Sequence, residues 1–478
     1  MTRYLDELSR VARVVTLGGI VVGGLAACDA TQPLKVKDPD VAPPGTATGP
    51  ASLPFLQVGT LGDFAIAVIG ASDEANNGHE GIAGFGGIFT DEFLDEDTFP
   101  TRNEMNTRDA TAQNQSIAGV FQNLGAVHND AQRALVQFNL YGPSTTGQAE
   151  MNNVDGYIYI YVAEHFCSGV PFSLINIANG QVTNGAFLTT PQMFDTALVR
   201  FHTAKTELAA DTSDDPALVQ QQMEFATIGT ARALLDLGQV ALAADTAATI
   251  TDPTFSYQIF ESTNTTRQEN GIWNYSNVNQ NQAFSVGNFK NGTGLAFIGT
   301  DSTFANGDPR VPWTLSPFPA SNGNPIFYNQ LKYPSANSNM IVGDYTEAQL
   351  IVAEGDIFAG NYAGGLTIMN TLRANFLSPV PLPHGFPTTL PPLPNVGGSQ
   401  KAQMLQLLHE RAFWMYVTGH RLGDWRRMLR APYSGAPFSF VTTDFYPMGP
   451  GLSPMLEFPT PQTTNPNPNY VACDATTP

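Results

Sequence analysis

Two segments share a pattern that limits the fold more than any other feature of the sequence. Residues 225–250 and 345–376 each contain an apolar helical stretch, a glycine (Gly238 or Gly360) and a second stretch with small residues at the packing positions. Apolar residues recur at helical spacing in three further segments, 116–138, 154–166 and 192–209. The sequence therefore predicts paired helices that approach closely through small side chains.

A helix, a tight glycine turn and a small-residue second helix are typical of the tetratricopeptide unit. The two units are separated by residues 251–344, which are rich in Asn, Gly, Ser, Thr, Pro and aromatic residues. A loop of this length inside a compact protein usually has a binding role, with disorder as the alternative. We predict a mostly α-helical, tetratricopeptide-like helix-pair scaffold over residues 58–478, with large irregular loop insertions of which 251–344 is the largest.

The amino terminus has the features of a secretory signal peptide. Residues 1–27 begin with basic side chains and continue with an uncharged apolar stretch that is short for a membrane span. They end in Leu-Ala-Ala before Cys28, which resembles the bacterial lipobox, whose cysteine is acylated after cleavage. The alternative is a plain signal peptide with an incidental cysteine. Residues 28–57 are predicted to be a flexible tether, so that the lipid alone attaches the protein to a membrane.

The two remaining cysteines are Cys167 and Cys473. With Cys28 acylated and the mature chain outside the reducing cytosol, this even remainder favours a disulfide between them. Two free thiols are the alternative, because the sequence gives no distance between the two side chains.

The net charge argues against a nucleic-acid partner, and the motifs that the sequence lacks argue against a cofactor. A formal net charge of −20 opposes nucleic-acid phosphates, so no nucleic-acid partner is predicted. The seven histidines form no zinc-binding pattern, and the sequence contains no phosphate-binding glycine loop or dinucleotide fingerprint. No cofactor is therefore predicted.

An acidic segment, residues 90–99, is the main candidate for chemistry. It contains five carboxylates: Asp91, Glu92, Asp95, Glu96 and Asp97. Paired carboxylates catalyse glycoside hydrolysis, but spacing within one short segment does not place two of them across a sugar. A solvated loop or helix start is favoured, with a structural calcium site as the alternative. No catalytic or metal-binding residue is predicted.

Candidate ligand-binding residues lie in two polar segments. Sugar recognition requires flat aromatic surfaces with amides or guanidinium groups beside them. Trp273, Asn274 and Tyr275 offer this combination in the long insertion, and Arg102 and Asn103 follow a turn-forming proline near the acidic segment. The alternative is that the aromatic side chains anchor their loop to the body of the protein.

Six stretches carry a resemblance to a known family. They are 155–173 (DGYIYIYVAEHFCSGVPFS), the helix pairs at 225–250 and 345–376, 308–313 (DPRVPW), 410–430 (ERAFWMYVTGHRLGDWRRMLR) and 458–470 (FPTPQTTNPNPNY). In this order and behind a lipobox, they resemble the SusD/RagB family of nutrient-binding outer-membrane lipoproteins.

The resemblance implies a function as well as a fold. Members of that family are not enzymes. They lie on the outer face of the outer membrane as lids on a TonB-dependent, SusC-like transporter barrel and capture oligosaccharides, or peptides in some branches. We therefore expect a lipid-anchored, cell-surface nutrient-binding protein. Two other functions stay open, a periplasmic tetratricopeptide-type scaffold lipoprotein that holds another protein and a surface glycosidase.

The resemblance also gives a meaning to the arginine-rich stretch 410–430. Its family counterpart is a Glu-Arg helix followed by Gly-His/Gln-Arg-x-x-Asp-x-x-Arg. The matching charged residues here are Glu410, Arg411, Arg421, Asp424 and Arg427. We interpret them as internal ion pairs where segments meet, because arginine forks hold carboxylates through two parallel bonds. Ordinary surface charge is the alternative.

Overall fold

The structure, a computed structural model, describes residues 48–72, 80–176, 179–278, 281–287, 295, 297–299, 307–383, 385–446, 455–461, 467–469 and 475–476. The predicted signal peptide 1–27, Cys28 and Cys473 lie outside these residues. The α-helices in chain order are α1 Leu53–Ile69, α2 Ile82–Phe89, α3 Pro100–Thr107, α4 Gln115–Tyr141, α5 Thr146–His165, α6 Thr190–Ala210, α7 Pro216–Asp236, α8 Val240–Ala247, α9 Gly271–Asn277, α10 Tyr345–Phe358, α11 Tyr362–Ala374, α12 Gln400–Trp414 and α13 Arg421–Met428. The predicted mostly α-helical fold is confirmed.

Short strands supplement the helices. They are β1 Phe93–Asp95, β2 Val170–Pro171, β3 Leu174–Asn176, β4 Gln181–Thr183, β5 Phe187–Leu188, β6 Ser256–Ile259, β7 Phe284–Val286, β8 Trp313–Leu315, β9 Tyr328–Gln330 and β10 Met340–Asp344. They pair antiparallel as β1 with β7, β2 with β5, β3 with β4, β6 with β10 and β8 with β9.

Helix α5 forms the centre of the core. The sequence predicts one apolar face over 154–166, but the structure buries every residue from Gly147 to His165. Its polar side chains find partners on the surrounding helices. Asp155 contacts His128 (2.6 Å) on α4 and Arg200 (2.8 Å) on α6. These bonds offset the free-energy cost of burying polar groups. Helix α5 can therefore be buried on all sides although it carries polar side chains.

The two predicted helix pairs are α7 with α8 and α10 with α11. Gly238 and Gly360 lie at their turns with positive φ (74° and 83°), a conformation that glycine adopts without a steric penalty. Helix α10 also packs against α8. At Gly355 of α10 an added Cβ would lie 2.3 Å from the Cβ of Ala244 on α8. Small residues thus allow neighbouring pairs to touch.

We expect Gly355→Ala to destabilise the protein by about 1–3 kcal/mol, because the new methyl group overpacks the contact with Ala244. Gly59→Ala is the matched control, since Gly59 also lies inside a helix but has no atom within 4 Å of an added Cβ. That change should stabilise the helix by about 0.5–1 kcal/mol. Urea unfolding of both variants measures the difference, and equal effects would show that the α8–α10 contact is loose.

The helical body begins earlier than residue 58. Helix α1 starts at Leu53, so the predicted tether 28–57 extends too far by at least five positions. Leu56 packs with Leu135, Phe138 and Met151, and these apolar contacts draw the end of the predicted tether onto the body. By length and composition the segment Pro50–Ile69 could cross a membrane, and in this structure α1 packs on α4.

The described residues of the insertion 251–344 include short strands. Strands β6 and β10 pair near its two ends, and β7 pairs with β1 of the acidic segment. Strands β8 and β9 form a hairpin between them. Each strand is only three to five residues long. The alternation of apolar and polar residues is therefore too short to predict these strands from the sequence.

Candidate functional site

The acidic segment 90–99 is buried rather than solvated. Asp91, Glu92, Asp95, Glu96 and Asp97 are all buried, so the favoured sequence interpretation is wrong. Pairing of β1 with β7 draws the segment into the body, and partners from distant segments satisfy several carboxylates. Val417, Asn322 and Asn324 lie far away in the sequence, which explains why local spacing does not show these partners.

Individual contacts hold this segment. Asp91 accepts a bond from the guanidinium of Arg108 (2.9 Å), and Glu92 accepts one from the backbone N–H of Val417 (2.8 Å). Burial raises the pKa of Glu92 to about 7. Burial, and to a smaller extent the negative charge of Asp97, raises the pKa of Asp95 to about 8. Asp95 is therefore protonated at neutral pH.

Arg102 and Tyr275, two predicted ligand-binding residues, lie in contact. The guanidinium of Arg102 lies 4.6 Å from the ring centroid of Tyr275 and forms salt bridges with Glu80 (2.7 Å) and Asp97. Both side chains are buried, with exposures of 7% and 2%. Arg102 thus joins α3 to α9, a role that matches the anchoring alternative.

The remaining predicted residues have different surroundings. Asn103 is half-buried and donates to the carbonyls of Asp97 (3.2 Å) and Phe99 (3.1 Å). Asn274 is buried on α9, whereas Trp273 is half-buried. Residues two apart on a helix point in nearly opposite directions, so Trp273 does not share the Arg102 side of α9 with Tyr275.

Phe99 is not among the residues predicted from the sequence, yet it has the most accessible aromatic side chain of segments 90–108 and 270–278. Its ring is 59% exposed, and the guanidinium of Arg102 lies 4.8 Å from its centroid. Asp97 accepts a bond from its backbone N–H, which fixes the turn before α3. The sequence signal is an aromatic residue directly before Pro100, the first residue of a helix, where the side chain lies outside the helix packing.

Two side-chain amides from another loop contact the acidic segment 90–99. Asn322 and Asn324, in the loop of the β8–β9 hairpin, donate to the carboxylate of Glu96 at 2.8 and 2.9 Å. Asn322 is exposed and Asn324 is half-buried. We call Phe99, Asn103, Asn322 and Asn324 the Phe99 surface: an accessible aromatic ring on a segment that amides from α3 and from the β8–β9 loop contact.

Most charged residues of 410–430 are buried, Asp424 and Arg430 are half-buried, and several of them pair across the fold. Asp424 accepts bonds from Arg411 (3.0 Å) and Arg427 (2.8 Å), and Arg427 also binds Glu354 on α10. Arg421 donates to the carbonyl of Thr90 (3.1 Å). These contacts join α12 and α13 to α10 and to the acidic segment.

The ion-pair partners of Glu410 come from segments that are distant in the sequence. Its carboxylate binds Arg310 of the 308–313 motif and Arg373 of α11, both at 2.7 Å. Burial alone would raise the pKa of Glu410, but the two arginine charges outweigh it and hold the pKa below its usual value. Glu410 thus links three segments that are remote in the sequence.

Two other sequence predictions concern a disulfide and a metal site. Cys167 is disulfide-bonded, but its predicted partner Cys473 lies outside the described residues, so the pairing stays a prediction. Within the described ranges, no group of three or more His, Cys, Asp or Glu side chains is placed to hold a metal ion.

The sequence matches no protein-family profile and no curated protein, but many solved structures have a similar fold. A SusD superfamily protein from Bacteroides thetaiotaomicron has a TM-score of 0.59 at 13% identity, covering 88% of this chain and 99% of that chain. A SusD-like carbohydrate-binding protein from Bacteroides fragilis has a TM-score of 0.58 at 14% identity, covering 87% and 98%. This chain has the SusD-like fold.

A third similar structure contains a ligand. Surface glycan-binding protein A from Bacteroides thetaiotaomicron, in complex with laminarihexaose, has a TM-score of 0.55 at 12% identity and covers 85% of this chain and 96% of that chain. The fold expected from the six sequence stretches is thus the one observed, and at least one protein with this SusD-like fold binds an oligosaccharide.

Proposed function

We propose that this SusD-like chain is a SusD/RagB-family protein that binds an oligosaccharide without hydrolysing it. The observation that carries the proposal is the Phe99 surface, on a fold shared with a laminarihexaose-binding protein. An exposed ring in contact with Arg102 offers an apolar face to a pyranose, and the amides of the same surface suit its hydroxyl groups.

The buried carboxylates support a binding function over a hydrolytic one. Glu96 is held by two asparagine amides, and Asp95 is buried beside it on β1. Hydrolysis requires two carboxyl groups facing each other across the scissile bond, whereas these two follow each other in the chain. Peptide capture is the alternative use of the same surface.

The cellular setting is a further part of the proposal. Acylation at Cys28, an outer-membrane location facing the cell surface and delivery to a TonB-dependent transporter all follow from the sequence resemblance. Metabolic labelling with a fatty-acid probe in wild type and Cys28→Ala tests the anchor. Co-purification of a transporter barrel from detergent-solubilised membranes tests the partner.

We expect Phe99→Ala to weaken oligosaccharide binding by about ten-fold, as is usual for an aromatic residue at the centre of a binding surface. A glycan array first identifies the ligand, and isothermal titration calorimetry then compares the variants. Phe55→Ala is the matched control, because Phe55 is also highly exposed (79%) but lies on α1.

Trp273→Ala separates the two candidate sites. Trp273 and Tyr275 point to opposite sides of α9. The affinity of Trp273→Ala for the oligosaccharide should therefore stay within about two-fold of wild type. A larger loss in Trp273→Ala than in Phe99→Ala would place the ligand on the other side of α9. Binding to a peptide panel but to no glycan would contradict the proposed ligand class.

A further inference from the structure

A cavity of about 230 Å³ lies apart from the Phe99 surface. It is lined by β10, the first turn of α10, the segment after α11 and the end of α12, with further residues at 310, 312, 332 and 418. None of the residues that define the Phe99 surface lines it. A dry apolar cavity of about 150 Å³ accommodates benzene, so this one has room for a somewhat larger molecule.

Most of the cavity wall is apolar. Phe376, Pro379, Val380 and Met415 contribute to it, and Leu377 lines it while being 87% exposed. An exposed leucine at the wall indicates that the cavity opens to solvent there. A ligand that enters by this route would bury apolar surface against these side chains, and that burial favours binding.

Four charged residues also line the cavity, and two of them are paired within the protein. Arg310 binds Asp308 and Glu410, and Glu347 binds Arg232. The charges of Arg310 and Glu347 are thus neutralised by partners within the protein, so these two side chains are not expected to pair with a charged ligand.

The other two charges, Lys332 and Asp344, form no salt bridge among the described residues. The ammonium of Lys332 donates to the carbonyl of Tyr416, and Asp344 accepts a bond from the backbone N–H of Glu347 (2.8 Å) as the cap of α10. Burial lowers the pKa of Lys332 to about 8, and burial raises the pKa of Asp344 to about 6. At pH 7 the wall therefore presents, besides its two paired residues, one cation and one anion, which attract each other, and the carboxylate of Glu92 also attracts Lys332.

An unsatisfied donor accompanies them. The indole Nε1–H of Trp414, which lines the cavity, is buried and has no acceptor among the described residues. A buried donor without a partner costs free energy, and a ligand oxygen would satisfy it.

We propose that this cavity binds a small zwitterion with an apolar side chain, an α-amino acid of the leucine class. Its ammonium pairs with Asp344, its carboxylate pairs with Lys332, and its side chain occupies the apolar part of the cavity. Both ligand charges are then matched by protein charges of opposite sign, and charge-assisted bonds of this kind are the strong ones. This site is independent of oligosaccharide binding.

Isothermal titration calorimetry of wild-type protein at pH 7 with three probes tests the proposal. We expect L-leucine to bind, and both 4-methylpentanoate and L-leucinamide to bind about ten-fold more weakly, because each lacks one of the two charges. Absence of leucine binding, or equal affinity for all three probes, would overturn the proposal.

Variants place the ligand in this cavity. Asp344→Asn keeps a good helix cap while removing the charge, and Lys332→Met keeps an unbranched apolar side chain. Each should weaken leucine binding by about ten-fold, whereas Leu140→Ala, at an exposed leucine (65%) outside the cavity, should leave it unchanged. Leucine binding that survives both charge-removing substitutions would also overturn the proposal.

Discussion

Glu410→Gln is expected to destabilise the protein by about 3–5 kcal/mol at neutral pH, because the substitution leaves buried arginine charges without their carboxylate. Glu410 is fully buried and binds Arg310 and Arg373 at 2.7 Å. Arg310 keeps Asp308 as a second partner, whereas Arg373 has no other carboxylate partner among the described residues. Urea unfolding of wild type and variant measures the loss.

The pH dependence gives a second test of the same cluster. The pKa of Glu410 is lower in the folded state than its ordinary value of 4.5. The contribution of Glu410 to the free energy of unfolding is therefore fully present above its pKa in the unfolded state. This contribution is lost as the pH falls through its pKa in the folded state. The difference between wild type and Glu410→Gln should shrink in acid.

Arg267→Gln is the control, since Arg267 forms an exposed pair with Asp63 (2.7 Å). Exposed pairs contribute about 0–1 kcal/mol, so this variant should remain close to wild type. A Glu410→Gln variant as stable as Arg267→Gln would show that the buried cluster does not hold α11 and α12 together.

Asp95→Asn is expected to stabilise the protein at pH 8 by at least about 1 kcal/mol, since one pKa unit corresponds to about 1.4 kcal/mol. Burial, together with the negative charge of Asp97, raises the pKa of Asp95 from 3.8 to about 8. Between these two values the folded state binds a proton that the unfolded state releases. Stability due to this group therefore falls as the pH rises from about 4 to 8.

Asparagine removes that dependence, so the advantage of Asp95→Asn should grow from pH 4 to pH 8. Thermal unfolding across this range measures it. Asp245→Asn, at an exposed aspartate of α8, is the control and should change stability by less than about 0.5 kcal/mol at every pH. A destabilised Asp95→Asn variant at pH 8 would mean that the ionised carboxylate has a favourable partner.

The helix pairs could be predicted because the pattern that defines them is local. Small residues and a turn glycine occur within each stretch, as at Gly238 and Gly360, and the structure places both in turns. The complete burial of α5 could not be predicted in this way. Its polar residues, such as Asp155, find partners on helices that are distant in the sequence.

The same distinction applies to the candidate site. The sequence identifies Arg102 and Tyr275, but not that they contact each other or that both are buried. It identifies Glu410 as part of an ion pair, but its partners come from the 308–313 motif and α11. Phe99 gains its importance from exposure, which depends on the whole fold.

The central claim is that this SusD-like protein captures an oligosaccharide and leaves it intact. Native mass spectrometry of the protein mixed with the best glycan of the array tests this claim most directly. The predicted result is a complex whose mass equals the protein plus one intact oligosaccharide, reduced in Phe99→Ala. Free protein alone, or a complex that holds only shorter sugar products, would contradict it.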